Sequence, residues 1–391
     1  VPPMIESIRI RNFKSLGEVT LNLEKFNCLI GMNGAGKSTV LQALDFIAQM
    51  MRGHIQGWLD GRDWSITDLN CKLRKESNIT VSVQYRTSEG KELVWIGIFN
   101  RSSLCCTSES LSVDGEKLFQ MAGQTYTLQG RPSQGIAFVF QGSLLSALKD
   151  SELLPLPSIL EFRDAMRHVR SLELLSPQLL RKSARSSDKD IGAGGEKLAG
   201  YLHTIKGEDR QRLLELLKSF YPRIEDFKVK SKRAGWKTLA VIEQFDGQRL
   251  ETEALHMSDG LLRILAVLAQ AGAHNSLLLL DEIENGINQT IVEKLVDTLV
   301  SSTQQILVTT HSPLILNYLD DDLARRSVQF IYRTPQGESR IRHFFEIPRI
   351  GEKLRYMGPG EALVDTDLEQ LSAECLALDE AGANASPEVS H

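Results

Sequence analysis

The sequence predicts an α/β protein: a buried parallel sheet carries a phosphate-binding loop, an antiparallel β meander lies toward the N-terminus, and a helical segment is inserted midway. Three observations predict it. A short apolar run at residues 26–30 leads into a Gly-rich loop ending in Lys37-Ser38-Thr39, and then into the helical spacing Val40, Leu41, Leu44, Ile47. Two later apolar runs, 277–280 and 306–308, end in polar tips, as buried parallel strands do where they face a ligand crevice. Between these landmarks, residues 78–140 alternate apolar and polar, whereas 157–220 read with helical period.

Composition narrows the field. The 391 residues are 42% hydrophobic and 24% charged, which excludes disorder across the whole chain. Lys and Arg number 45 against 50 Asp and Glu, a net charge of −5, so a globally basic nucleic-acid binder is excluded and a local basic patch is not. An aromatic fraction of 6% argues against a broad base-stacking platform. The apolar runs 264–269 and 277–280 are too short to cross a bilayer, so the expectation is a cytoplasmic protein with no membrane partner. Cys28, Cys71, Cys105, Cys106 and Cys375 form no CxxC, which points to reduced thiols rather than a zinc site. Met4 reads as the native start.

Residues 31–39 fit GxxxxGK[ST] between a strand and a helix. In such a loop the backbone N–H groups of Asn33, Gly34, Ala35, Gly36, Lys37, Ser38 and Thr39 wrap phosphates, and the helix N-terminus adds the positive end of its dipole. Lys37 is placed to reach the β- and γ-phosphates, and the Ser38 hydroxyl to bind Mg²⁺. The acids Asp281 and Glu282 end the run 277–280; Asp281 is expected in the Mg²⁺ shell and Glu282 as the general base that polarises water. Taken alone, that pair also reads as a solvated acidic turn. His311 ends the next strand, where it can bond a γ-phosphate oxygen. Residues 257–263, Met-Ser-Asp-Gly-Leu-Leu-Arg, open an apolar helix; Ser258 reads either as a plain N-cap or, with Gly260, as an anion contact.

Together these motifs resemble the ABC-type, AAA-family ATPase heads of the RecF, SMC and OLD group. Residues 8–16 are similar to that group's opening strand and NFKS turn, 31–38 to Walker A, 257–263 to the signature motif, 277–282 to Walker B, and 281–287 (DEIENGI) to the OLD form of the turn that follows; His311 matches the switch histidine. Residues 170–184 and 195–202 resemble the helical lid of the small ATPases of this group. Asn288-Gln289 departs from the usual His-Pro at the D-loop. Gln141, after 136–140, is a candidate for the Q-loop residue that touches nucleotide and Mg²⁺, or an exposed Gln after a strand.

The resemblance implies an ABC-type P-loop head over residues 4–350, with an inserted lid at about 155–222 and a C-terminal appendage and partly disordered tail at 351–391. It implies ATP and Mg²⁺ as cofactors and an ATP-dependent homodimer. Lys37, Ser38, Asp281, Glu282 and His311 would come from one chain, and Ser258 and Gly260 from its twin. The expected function is an ATP-hydrolysing switch controlling a separately encoded nuclease or toxin, in the setting of anti-phage defence. The alternative is a RecF-like DNA-binding repair ATPase, for which Arg223, Lys228, Lys230, Lys232, Arg233 and Lys237 offer a basic hairpin. No sustained heptads mark a long coiled coil. Asp320-Asp321-Asp322 and Asp365-Thr366-Asp367 follow no expected strand, so a TOPRIM nuclease is not expected in the chain. Val364, Leu368, Leu371 and Cys375 form a short apolar stripe suited to docking, and residues beyond 381 read as disordered.

Overall fold

A computed structural model describes residues 2–185 and 190–385. The chain forms two compact units, one comprising residues up to Val169 together with those from Leu307 onward, the other Arg170–Ile306. Residues 186–189 and 386–391 lie outside the described residues; of the tail read as disordered beyond 381, residues 382–385 instead continue the last helix.

The first unit opens with β1 (Met4–Phe13), β2 (Leu16–Asn22) and β3 (Phe26–Gly31), followed by α1 (Lys37–Arg52) and α2 (Ile55–Asp60). The meander is β4 (Asn78–Arg86), β5 (Glu92–Asn100), β6 (Cys105–Val113), β7 (Glu116–Ala122), β8 (Thr125–Leu128) and the short β9 (Gln134–Gly135). With β1 and β2 it makes one antiparallel sheet, ordered β2-β1-β4-β5-β6-β7-β8-β9. Its alternation is the expected one: Ile79, Val81, Val83 and Tyr85 all point inward. The β6–β7 turn is Asp114-Gly115, both left-handed (φ 48° and 81°), the geometry whose twist matches a tight hairpin. Residues 136–141 are not the expected strand extension; they form an irregular segment in which Val139 is 99% exposed. Helices α3 (Asp150–Leu153) and α4 (Pro157–Arg167) follow, and Phe162 of α4 seats its ring against Tyr85 and Trp95 of the meander.

Glu109 on β6 is a fully buried carboxyl that accepts from Trp95 Nε1 (3.0 Å), Ser143 Oγ (2.5 Å) and Leu144 N (2.6 Å). Burial outweighs these donors and pushes its pKa up to about 7, from an ordinary 4.5. Between those values the folded chain holds a proton that the unfolded chain releases, so this group's contribution is full at low pH and is lost as pH rises through the folded pKa. Glu109→Gln, which cannot ionise, should therefore flatten the fall in stability between pH 5 and 7.5. Urea midpoints at the two pH values check this; a wild-type-to-variant gap that does not change with pH refutes it.

The second unit is less helical than its sequence suggests. The expected all-helical stretch 157–220 is broken by β10 (Val169–Ser171), whose continuation Leu172 donates to the Leu279 carbonyl (2.8 Å). Two neighbouring apolar residues, Leu172 and Leu279, pair there through backbone groups that no helix would leave free. Helices α5 (Pro177–Leu180), α6 (Leu198–Thr204) and α7 (Gly207–Phe220) follow. The last buries Leu213, Leu214, Leu217 and Phe220, the face its period predicts. Next come β11 (Ile224–Ser231), β12 (Lys237–Phe245) and β13 (Gln248–Glu253), a three-stranded antiparallel sheet in that order. β13 is polar and exposed, so it lacks the alternation that reveals a strand; the Asp246-Gly247 turn (φ 37° and 84°) was its only signal. Helix α8 (Asp259–Ala271), the fully buried β14 (Leu277–Leu280) and α9 (Gln289–Val300) complete the unit.

β15 (Gln305–Thr309) returns the chain to the first unit, where α10 (Pro313–Asn317), α11 (Asp321–Ser327), β16 (Val328–Arg333), β17 (Ser339–His343), α12 (Pro348–Lys353), α13 (Pro359–Val364) and α14 (Leu368–Ala385) follow. Its second sheet runs β15-β3-β16-β17, with β3 and β16 parallel and β17 an antiparallel edge. Asp320 caps α11, and Asp365 ends α13. The appendage docks on its own unit. Leu371 and Cys375 are buried, and Asp379 accepts from Arg342 Nη2 (2.6 Å), Tyr332 Oη (2.8 Å) and Arg340 Nη1 (2.9 Å). Burial would raise the Asp379 pKa, but these donors hold it below the ordinary carboxylate value. The stripe expected from Val364 is not continuous, because Val364 lies on α13 and is 70% exposed. All five cysteines are free thiols, and no described helix is long and apolar enough to cross a membrane.

Candidate functional site

The phosphate loop lies in the first unit, between the wholly buried β3 and α1. Gly36 adopts φ 115°, and a Cβ there would sit 2.5 Å from Ser339 Oγ, so both backbone freedom and space demand glycine. Ser339 of β17 donates to the Ala35 carbonyl (2.6 Å) and lies 3.0 Å from Ser15 Oγ of the NFKS turn. These two serines brace the loop from behind. Ser339 carries no motif, and it lies some three hundred residues from its partner, so nothing in the sequence marks it.

Lys37 is 6% exposed, and its ammonium donates to the carbonyls of Gly31 (2.8 Å) and Met32 (3.1 Å). The Nζ therefore sits in the mouth of the loop, 3.5 Å from His311 Nδ1. Thr310 N donates to the Leu29 carbonyl (3.2 Å), which places the tip of β15 beside β3 and brings His311 to Lys37. Asn33 and Gly34 are exposed at the outer rim.

Gln141 is not brought there. Its Oε1 accepts from Gln56 N (3.0 Å), its carbonyl accepts from Ser146 Oγ (3.3 Å), and the nearby Ser143 N donates to Met50 O (2.9 Å). All of these lie at the C-terminal end of α1, and a helix of this length puts about 20 Å between that end and Lys37. Gln141 is corrected to a loop residue, with neither the nucleotide contact nor the Mg²⁺ contact expected of it. The segment that does reach the end of β14 is the continuation of β10, with Glu173 after Leu172. Its polar, three-residue strand gave the sequence no periodic signal.

In the second unit, Asp281 and Glu282 follow β14, and Glu282 stands at φ 45°, a left-handed conformation uncommon for a residue with a side chain. Arg263 of α8 holds it there. One guanidinium nitrogen donates to the carbonyls of Asp281 (2.7 Å) and Glu282 (2.9 Å). Asn285 closes the turn through its backbone N on the Glu282 carbonyl (3.0 Å) and its amide on the Glu282 carboxylate. Burial lowers the Arg263 pKa against the raising effect of Glu284, Asp281 and Glu282, and the group remains a cation. Arg263→Ala should therefore relax the turn and lower ATP turnover about 10- to 100-fold while nucleotide affinity stays within a few-fold. Equal losses in kcat and affinity would contradict this.

Ser258 is the N-cap of α8, accepting from Leu261 N (3.3 Å), and it is exposed. Gly260 packs where a Cβ would lie 2.8 Å from the Gly286 carbonyl, so the start of α8 fits closely on the turn after the acid pair. Arg181 ties the same start down through the Asp259 carboxylate and the Met257 carbonyl (2.9 Å). Asn288 caps α9 through Thr290 N (3.1 Å), which accounts for that residue at the D-loop.

Two cations of the basic hairpin are paired, Lys230 with Glu251 and Lys232 with Glu253 (3.8 Å), and beside them Arg249 of β13 pairs with Glu225. Among the described residues, no group of three or more His, Cys, Asp or Glu forms a ready cation cage.

A sequence profile of the family described as "AAA domain, putative AbiEii toxin, Type IV TA system" matches residues 26–75 and 132–317, more than half of the chain. No curated protein matches it. Among solved structures, the chain is similar to an SmcHead bound to the C-winged helix domain of ScpA, at 16% identity over 87% of this chain and 97% of that one, with a TM-score of 0.55. It is also similar to an Smc head domain with an extended coiled coil bound to the C-terminal domain of ScpA derived from Pyrococcus furiosus, at 15% identity over 90% and 100% of the two chains, with a TM-score of 0.52. At such identities the likeness establishes fold: an ABC-type P-loop ATPase head.

Proposed function

The chain belongs to the AAA domain family of putative AbiEii toxins, and from that premise we propose that it is an ATP-hydrolysing switch that closes as a homodimer on ATP and opens on hydrolysis. The observation that carries this reading is Glu282, held left-handed beside Asp281 by Arg263 and Asn285. A strained acid kept in place by its surroundings is typical of a working site. Lys37 would neutralise the β- and γ-phosphates, and Ser38 and Asp281 would hold Mg²⁺ with the phosphate oxygens. Mg²⁺ supplies charge neutralisation at the transferring phosphoryl group. Glu282 would accept the proton of the attacking water, and His311 would bond the γ-phosphate. The exposed Ser258 and the half-buried Gly260, at a positive helix end, would meet the γ-phosphate of a second copy. For the finer role, control of a nuclease or toxin encoded elsewhere, the family's description as a putative toxin of a type IV toxin–antitoxin system supports the defence setting alone.

The test is Glu282→Gln with ATP. Removing a general base lowers turnover about 10²- to 10⁴-fold, so the variant should retain ATP and run at twice its mass. Undiminished phosphate release would exclude Glu282 as the base. An unchanged mass with ATP bound would exclude the dimer.

A further inference from the structure

A second concave site lies wholly within the Arg170–Ile306 unit. Beside β11, the end of α6 and the start of α7 enclose a cleft of about 300 Å³. That volume is at the lower end of small-ligand pockets. Lys206, Arg210, Lys228 and Lys230 line it together with His203, and no carboxylate does. The aliphatic faces of Leu202, Ile205 and Val229 complete the wall.

The cations are not equivalent. Arg210 is preset: its Nη2 donates to Asp226 Oδ1 (2.6 Å) and to the Phe227 carbonyl (2.6 Å), and its guanidinium lies 4.7 Å from the centroid of the buried Phe227 ring. One edge of its planar fork is thus spent on fixing the side chain, and the remaining N–H groups are held in one orientation. Lys230 is paired with Glu251. Lys206 and Lys228 join no ion pair among the described residues, and Glu251, the acid that feels the Lys228 charge, is already paired with Lys230, so the lining stays net positive. Burial, with the cations of Lys237 and Lys206, lowers the pKa of His203, which leaves it a neutral imidazole able to donate one hydrogen bond.

We propose that this cleft binds the phosphate monoester of a small ligand, with Lys206 and Lys228 neutralising the phosphate, Arg210 and His203 orienting it, and the aliphatic wall taking the carbon skeleton. Several features favour a small ligand over a nucleic-acid strand. The site is a short concave cleft of about 300 Å³ rather than a long groove. Lys230 and Lys232 of the surrounding hairpin are already paired with Glu251 and Glu253. The ring at the cleft, Phe227, is 1% exposed and offers no face for a base.

The test uses the full chain carrying Lys37→Ala, which silences the phosphate loop, and titrates inorganic phosphate and ribose 5-phosphate by calorimetry. One site should remain in that background, and ribose 5-phosphate should bind more tightly than inorganic phosphate. Lys206→Glu with Lys228→Glu should weaken it about tenfold or more, with Lys206→Gln and Lys228→Gln intermediate. All four changes fall on exposed side chains, and matching melting curves confirm that the fold is kept. Affinity unmoved by the charge reversals, or absent once Lys37 is replaced, overturns the proposal. An oligonucleotide lacking terminal phosphate should not compete; competition that depends on Lys206 and Lys228 overturns the small-ligand reading in favour of a strand. None of these readouts requires ATP hydrolysis or dimerisation, so the proposal stands or falls apart from the switch.

Discussion

Lys37→Ala heads mixed with Ser258→Arg heads should hydrolyse ATP, although neither variant does so alone. The Lys37→Ala chain loses the ammonium that sits in the loop mouth 2.8 Å from the Gly31 carbonyl, so its own phosphate site is dead while its Ser258 is intact. The Ser258→Arg chain keeps its loop but presents a bulky cation where a small N-cap hydroxyl stood, at a cap cost of about 1 kcal/mol. In a two-fold dimer with shared sites, a mixed pair has one site in which both defects meet and one in which both halves are sound. Random pairing makes half the dimers mixed, so about a quarter of wild-type activity should return. Recovery requires that Ser258 act in trans, because a site built wholly within one chain yields none. Absence of recovery, with both variants folded and the wild type active, would remove the shared-site reading and leave the ATPase fold untouched.

Asp45→Ala should be the most destabilising single change in the first unit, by about 3–5 kcal/mol. Asp45 lies on α1, and its carboxylate accepts from Trp58 Nε1 (2.7 Å), Arg62 Nη2 (2.9 Å) and Gln49 Nε2 (3.1 Å). The Asp45 and Arg62 side chains are 8% and 6% exposed. Removing the acid takes an acceptor from three buried donors, among them the Arg62 guanidinium that lies against the Trp58 and Trp64 rings. Losing one partner of a buried pair costs more than the pair contributes. The helix that carries Lys37 at its start should then melt earlier, seen as a lower urea midpoint and weaker nucleotide binding together. Asp45→Asn keeps an acceptor and should fall between. A midpoint within 1 kcal/mol of wild type would mean that Arg62 finds another acceptor.

The local elements were legible where residue order alone sets the physics. The loop of Gly34, Gly36 and Lys37, the inward face of β4 and the buried face of α7 all follow from periodicity and from backbone chemistry within a few residues. Errors arose where one strand's identity depends on its partner. β10 and β13 carry no apolar alternation; β10 is a strand because a partner about a hundred residues on satisfies its backbone groups, and β13 because the adjacent β12 does. Gln141 failed for the same reason: the motif-like run at 136–140 suggested a strand, but the chain there turns toward the C-terminal end of α1.

Read without coordinates, the chain already declared an ABC-type phosphate-loop ATPase head, because that chemistry needs particular residues at short, ordered spacings. Tertiary packing alone revealed that Arg263 holds Glu282 in a left-handed turn, that Ser339 and Ser15 brace the loop, that β13 acids pair Lys230 and Lys232 of the basic hairpin, and that Lys206 and Lys228 share a cleft. Each of these is a meeting of side chains or carbonyls separated by many residues. Hydrogen bonding and charge act through space, and sequence distance does not encode it.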